Sequence, residues 1–496
     1  MRLPSKALVT VSVCALLVAG AGCSTQSEQS GSANKNAAGG NSSYDITAVA
    51  QPDNKGAALL DLINSATKSI DIVIYQIGGP QIPPALAAAM KKGVKVRAII
   101  DGGSKGNVAD GKAFVTSMAA AISAASADPT LFSANWSSDN FNYTHQKSVM
   151  VDAVDANGAT LASGSMPSSA RLLISTGNFF PNVSPPQPFY GARDFYLTTP
   201  NQDLINRASL VYTSDFSCAG RTATNNPLPG QTVGPKTDPK LVWSNGTTGL
   251  YQGDPADAYP AVSDGYFSKT KQYSSSSTDQ GNSFTTQLAL IQNAKQGDVV
   301  RVYNEEMAST PIVNALIAAA TPVGKTTPDG KPGQGADVRI VMSYSSYNGQ
   351  PSAFVTSLEQ IAAAGGKVTL FADQSDSRYS SVLYIHAKMI TVTSGGSTQG
   401  FAGSENFSGG SMGFNRELGI RLDSSTDSSA ISVLNGTFDT DFNASALTTQ
   451  LTPQNPKNIP ADWLSTSKNL TSPQAAPNAN KRLGAPVQGC GPIKVG

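Results

Sequence analysis

Residues 143–152 read YTHQKSVMVD, and residues 384–393 read YIHAKMITVT. These two decads hold the only two histidines of the 496-residue chain, His145 and His386, and each is followed two positions later by a lysine, Lys147 and Lys388. With lysine at roughly one residue in twenty, the coincidence has a chance on the order of one in several hundred. A protein that avoids histidine elsewhere but repeats one setting for it calls for a chemical reason. After the first lysine, SVMVD alternates and is β-rich, so the histidine lies just ahead of a strand.

Outward from the decads, one order of elements occurs twice. Residues 58–79, ALLDLINSATKSIDIVIYQIGG, place Leu59, Leu62, Ile63 and Ala66 at helical spacing, then run into a β-rich stretch over 70–77. Residues 83–103 repeat this as an amphipathic helix ending near Gly93 and a strand over 94–100. Helix 112–125 then precedes His145. In the second copy, helix 284–295, strand 298–303, helix 311–320, strand 337–342, helix 352–364 and strand 367–371 lead to His386. A repeated β-α-β order predicts an α/β fold with parallel strands, helices on their faces, and two pseudo-symmetric halves with the site between them.

Composition bounds the setting. The chain is 40% hydrophobic with a formal charge of +1, enough apolar content for large cores and no excess of the sign that sequence-independent nucleic-acid binding needs. Residues 1–23 carry Arg2 and Lys6, an apolar run and small residues before Cys23, and read as an export signal. AGAGC at 19–23 resembles a bacterial lipobox, which makes Cys23 a lipidation candidate and gives an exported protein, held at the bacterial envelope or secreted. Of four cysteines, Cys14 lies in the signal, leaving Cys218 and Cys490 as the expected disulfide of an oxidising compartment. Residues 24–50 read as a flexible linker, 51–224 as the first half, 225–282 as a connector or lid, 283–449 as the second half and 450–496 as a tail.

Each histidine has a matching retinue downstream. The first has Asp152, then Asn178 in ISTGNFF and Arg193-Asp194 in GARDFYL; the second has Asn406 in FAGSENFS and Asn415, Arg416 and Glu417 in FNRELGI. Such a set suits phosphoryl transfer without a metal or other cofactor. One imidazole attacks phosphorus and the other, protonated, serves the leaving oxygen. Lysines and asparagines meet the charge on the non-bridging oxygens. Asp194 and Glu417 accept from Nδ1–H, so that Nε2 faces phosphorus. The plainer alternative pairs these two acids with their neighbours Arg193 and Arg416. Glu305 and Glu306 read as exposed helix residues with no role, and Asp71, Tyr75, Asp101 and Asp373 as strand-end turns or caps.

The H-x-K-x4-D pattern, followed by a Gly-Ser-x-Asn turn and a later Arg-Asp or Asn-Arg-Glu, resembles the phospholipase D superfamily over roughly residues 57–422. The resemblance implies a duplicated sandwich, a covalent phosphohistidine on His145 as nucleophile, and His386 as general acid and then base. Asp152 and Ser404 become supporting residues. Two departures stand out: Thr393 replaces the second motif aspartate, and the first turn reads Ser175-Thr176-Gly177-Asn178. The implied activity is hydrolysis of a phospholipid at a membrane surface, with water as acceptor, or its transphosphatidylation to an alcohol, by a monomer. An exported nuclease and a non-catalytic phosphate- or lipid-binding module rank below it.

Overall fold

An unbroken apolar strand such as SIDIVI needs cover on both faces, the condition of a parallel strand beneath helices. The computed structural model describes residues 45–102, 105–137, 143–180, 192–217, 250–253, 282–343, 352–371, 375–376, 381–408, 411, 415–444, 448–451 and 491–492. All lie in one compact unit that spans Ser42–Gly496. The first half runs β1 (Thr47–Gln51), α1 (Ala57–Ser65), β2 (Ser69–Ile74), α2 (Ile82–Lys91), β3 (Lys95–Ile100), α3 (Lys105–Ala125), β4 (Phe132–Trp136), β5 (Ser148–Val151), β6 (Arg171–Ser175), β7 (Ala192–Thr199) and α4 (Gln202–Ser217). Strand β8 (Leu250–Gly253) follows.

The second half repeats the order with α5 (Asn282–Gln292), β9 (Val299–Tyr303), α6 (Thr310–Ala320), β10 (Asp337–Ser343), α7 (Ser352–Ala363) and β11 (Lys367–Phe371). Short β12 (Ser375–Asp376), β13 (Ser381–Val382) and β14 (Tyr384–Ile385) come next. Then come β15 (Met389–Ser394), β16 (Ser397–Gly403), β17 (Glu417–Asp423), α8 (Ser428–Phe442), β18 (Thr448–Leu451) and β19 (Gly491–Pro492).

The two sheets have the same plan. In the first, β2, β3 and β4 are parallel, and β5, β6 and β7 continue antiparallel from β2. In the second, β9, β10 and β11 are parallel, and β15, β16 and β17 continue from β9. The outer positions also correspond: β1 borders β7 as β8 borders β17, and β19 borders β4 as β18 borders β11. Thus the expected linker gives way to a strand at Thr47, and both the connector and the tail supply strands to the sheets. Their Gly- and Pro-rich surroundings hide these strands of two to five residues, whose pairing rests on the sheet edge they meet.

Helix α3 starts at Lys105, seven residues before the expected 112, because Gly111 inside it looks like a breaker. The glycine lets the helix lie against Trp136, whose ring a Cβ there would strike. Strand β2 stops at Ile74, short of the expected 77, and the chain turns at Tyr75 and Gln76.

A shared apolar layer joins the halves, with Val73, Ile174 and Phe195 of the first packed with Tyr303, Val341 and Leu418 of the second. Ion pairs cross the same boundary. Arg193 donates from Nε to Asp441 of α8 at 2.7 Å, and Arg416 pairs with Asp215 of α4 at 3.0 Å. Both arginines are almost fully buried, and Arg193 also reaches Asp53, so the boundary carries buried guanidinium charges held by carboxylates.

Candidate active site

Main-chain pairing across the halves decides what each histidine meets. β14, which precedes His386, pairs in parallel with β7, matching Ile385 to Arg193. Thr144, which precedes His145, bridges to Arg416 in the same sense. Gln146 N donates to Arg416 O at 2.8 Å, and Arg416 N donates to Tyr143 O at 2.9 Å. Each histidine is therefore laid beside the acid that follows the other half's arginine. His145 Nδ1 lies 3.0 Å from both carboxylate oxygens of Glu417, and His386 Nδ1 lies 3.1 Å from Asp194 Oδ1. Alternation along β7 and at the start of β17 turns the arginines the other way, towards Asp441 and Asp215, so the acids do not pair with their neighbours.

The turn residues support those acids. Thr176 Oγ1 donates to Asp194 at 3.0 Å, and Ser404 Oγ donates to Glu417 at 2.5 Å. Threonine in the first turn thus does what serine does in the second, and the departure from Gly-Ser-x-Asn keeps the hydroxyl. Gly177 is required, since a Cβ there would fall on the Asp194 carboxylate. Glu417 also accepts from Ser411 Oγ at 2.6 Å and Asn415 Nδ2 at 3.1 Å.

The lysines are built alike. Lys147 Nζ donates to His145 O at 2.6 Å, and Lys388 Nζ to His386 O at 2.5 Å. Asn178 Nδ2 donates to Gln76 at 3.0 Å, and Asn406 Nδ2 approaches Glu305 at 3.4 Å. The two motifs share one electrostatic environment. Burial, with the charges of Lys147 and Lys388, brings His145 down to about 4 against the pull of Glu417. Burial and Lys388 bring Lys147 down to about 7. Burial pushes the Glu417 carboxyl up, but His145, Lys147 and the Ser404 hydrogen bond outweigh it and hold it below its usual range. A neutral imidazole with Nδ1–H on a carboxylate and Nε2 unprotonated is a poised nucleophile.

Glu305 is the residue that the sequence reading left on an exposed helix. It sits instead in the turn after β9, 14% exposed at the side chain, 3.3 Å from His386 Nε2 and 3.0 Å from Lys388 Nζ. Tyr384 Oη also donates to it at 2.8 Å. Burial pushes its carboxyl up, yet Lys388 and His386 outweigh that and keep it far below its ordinary range. Donors that gather on one carboxylate oxygen in this way would equally suit a non-bridging phosphate oxygen. A polar pair after a strand carries no local mark of such a role. Its only trace is that Glu305 stands two residues after Tyr303 of β9 as Tyr75 stands two after Val73 of β2.

Other sequence candidates fall outside this cluster. Asp152 closes the far end of β5, accepting from the N–H groups of Thr67, Lys68 and Ser69 and from the hydroxyls of Thr67 and Ser169. Thr393, its counterpart, bonds Thr398 at 2.9 Å and Arg301 at 3.2 Å, so the position ties strands in both halves. Asp71 is held by Arg97 at 2.7 Å within the first sheet. Asp101 accepts from Thr144 N at 2.8 Å, which braces the residue before His145. Tyr75 packs edge-on to His145, with ring centroids 4.8 Å apart. Cys23, Cys218, Cys490 and Asp373 lie outside the described residues.

Among the described residues no helix is long and apolar enough to cross a membrane. No curated protein matches the chain. Its fold is similar to phosphatidylserine synthase of Haemophilus influenzae Rd KW20, at 12% identity and a TM-score of 0.48 over 82% of this chain and 87% of that one. It is also similar to the phospholipase D family member Nuc of Salmonella typhimurium, at 22% identity and a TM-score of 0.25 over 35% of this chain and 94% of that one. For polyphosphate kinase of Porphyromonas gingivalis the identity is 13% and the TM-score 0.49 over 82% of this chain, which spans only 49% of that enzyme. Residues 59–173 match the family model described as cardiolipin synthase, PLD-like domain. Over those residues, the chain carries a PLD-like domain.

Proposed function

We propose that the protein is a phosphodiesterase that hydrolyses or transphosphatidylates phospholipids through a phosphohistidine. The observation that carries this reading is the crossed pinning of the histidines, each with Nδ1 on the other half's carboxylate and a lysine beside it. Both halves lie in one chain, so a monomer holds a whole site. In the first step His145 Nε2 attacks phosphorus, the ester P–O bond breaks, and the leaving oxygen takes the proton of His386 Nε2. Neutral His386 then removes a proton from water or an alcohol, whose oxygen attacks phosphorus, and the P–N bond breaks to restore His145. Lys147, Lys388 and the two asparagines face the charge that builds on the non-bridging oxygens.

A formal charge of +1 favours a lipid headgroup over a polyanion. We place the enzyme outside the cytoplasm, tethered at the envelope by lipidated Cys23 or released. Incubation of the purified protein with mixed phospholipid vesicles, EDTA and a little ethanol tests the reading. Phosphatidylethanol and phosphatidic acid, both lost in His145→Ala, are expected. Absence of both, with cleavage of single-stranded DNA by the same preparation, would replace the lipid with a nucleic acid as substrate.

A further inference from the structure

The halves match in histidine, lysine, asparagine and acid, but at one position they differ in chemistry. Val73 pairs with Ser148 and Tyr303 with Met389, the residues after the two lysines, so Tyr75 and Glu305 hold the same place in their halves. In the first half an aromatic edge meets His145, and Lys147 Nζ lies 5.2 Å from the Tyr75 ring centre. In the second half a carboxylate meets His386 and Lys388.

The consequence lies in hydrogen counting. A ring nitrogen that faces a carboxylate must carry hydrogen, since otherwise two lone pairs oppose. His386 has Asp194 hydrogen-bonded at Nδ1, 3.1 Å away, and the Glu305 carboxylate 3.3 Å from Nε2 in an ion pair, so a carboxylate lies beside each nitrogen. His145 has Glu417 at Nδ1, and among the described residues no carboxylate pairs with its Nε2. The charged and titratable groups in contact with His386 are Asp194, Glu305, Lys388 and Tyr384.

We propose that Glu305 is a positioning residue that holds His386 as the imidazolium and so assigns His386 as the acid and His145 as the nucleophile. The proposal rests on the phosphohistidine reading above. It also accounts for how substrate enters. The phosphodiester displaces the Glu305 carboxylate, Lys388 and Asn406 pass to its oxygens, and the Nε2 proton that faced Glu305 now faces the leaving oxygen. Tyr75 adds no charge opposite, so His145 keeps its lone pair.

Because the chain has only two histidines, histidine labelled with 15N reports both rings in the intact protein, and His145→Ala assigns them. Near pH 7 the wild type should show both His386 nitrogens protonated and His145 protonated only at Nδ1. In Glu305→Gln, which keeps the size of the side chain, His386 should lose one of its two protons. A singly protonated His386 in the wild type, or no change in the variant, overturns the proposal. Kinetics give a second test that a merely structural role would not pass. Glu305→Gln should lose about 100-fold or more on a dialkyl phosphodiester, whose leaving group needs the acid, and less than about 10-fold on bis(p-nitrophenyl) phosphate. Equal losses on both esters would also overturn it. The spectra need no turnover, so failure of the wild type to cleave either ester would count against the phosphodiesterase reading alone.

Discussion

Glu417→Gln is the substitution whose effect the geometry defines most narrowly. The carboxylate receives His145 Nδ1–H at 3.0 Å, Ser404 Oγ at 2.5 Å, Ser411 Oγ at 2.6 Å and Asn415 Nδ2 at 3.1 Å. Glutamine keeps the shape but offers one acceptor oxygen and adds an amide that donates. One orientation sets the amide against His145 Nδ1, where it is satisfied if the ring carries its proton on Nε2 instead. That tautomer has no lone pair facing phosphorus. In serine-protease triads the corresponding acid-to-amide change costs about 10⁴ in kcat, about 5 kcal/mol of barrier. We expect a loss of 10³–10⁴-fold, an order-of-magnitude range. The assay is release of p-nitrophenolate from bis(p-nitrophenyl) phosphate, with circular dichroism to show that the variant is folded. The lost charge should lower stability by about 1–3 kcal/mol without unfolding the chain. Asp194→Asn is the control, because it acts on His386 and this leaving group needs little acid, so its loss should be smaller. A folded Glu417→Gln within about ten-fold of wild type would refute the tautomer argument, as would a larger loss in Asp194→Asn.

Four further outcomes follow from the same contacts. With His145 brought down to about 4 and Lys147 to about 7, kcat/KM should rise through about pH 4 as the nucleophile loses its proton. It should fall above about pH 7 as Lys147 loses charge, and a flat profile from pH 5 to about 9 would contradict that environment. Burial and the charge of Glu417 push Glu405 up to about 8, so the folded state keeps a proton that the unfolded state has lost. Stability should therefore fall as pH rises from the usual glutamate range to about 8, and thermal melts of Glu405→Gln should lack that slope. Asp152→Asn should lower stability by about 2–4 kcal/mol through weaker bonds to the start of β2, with the folded enzyme still turning over; loss of activity at full stability would contradict a fastening role. Gly491 pairs with Trp136, and Asn135 donates to Phe216 O at 2.8 Å, so the chain next to each of Cys490 and Cys218 meets β4. A cross-linked Cys218–Cys490 peptide in a non-reducing digest is expected, and two free thiols in protein produced in an oxidising compartment would exclude the bridge.

Much of the architecture was readable from local pattern. SIDIVI, the helix before Gly93 and their second-half counterparts follow from apolar period and glycine stops, which depend on short-range sterics and burial. The paired H-x-K decads pointed to phosphoryl chemistry because two histidines with matched lysines have few other uses. Local pattern was silent wherever the deciding contact lies far along the chain. Glu417 is 272 residues from His145 and Asp194 is 192 from His386, and nothing in either neighbourhood tells which acid serves which ring. That choice belongs to β14 on β7 and Thr144 on Arg416, pairings that exist only once two half-cores have packed into one. Glu305 is the same case, a polar residue after a strand until the fold sets it on His386. The sequence by itself determined two α/β halves and the residue types of a candidate phosphoryl-transfer site. Only the tertiary structure decided that each half completes the other's site, because hydrogen bonds form between side chains brought together by long-range packing, which local periodicity does not encode.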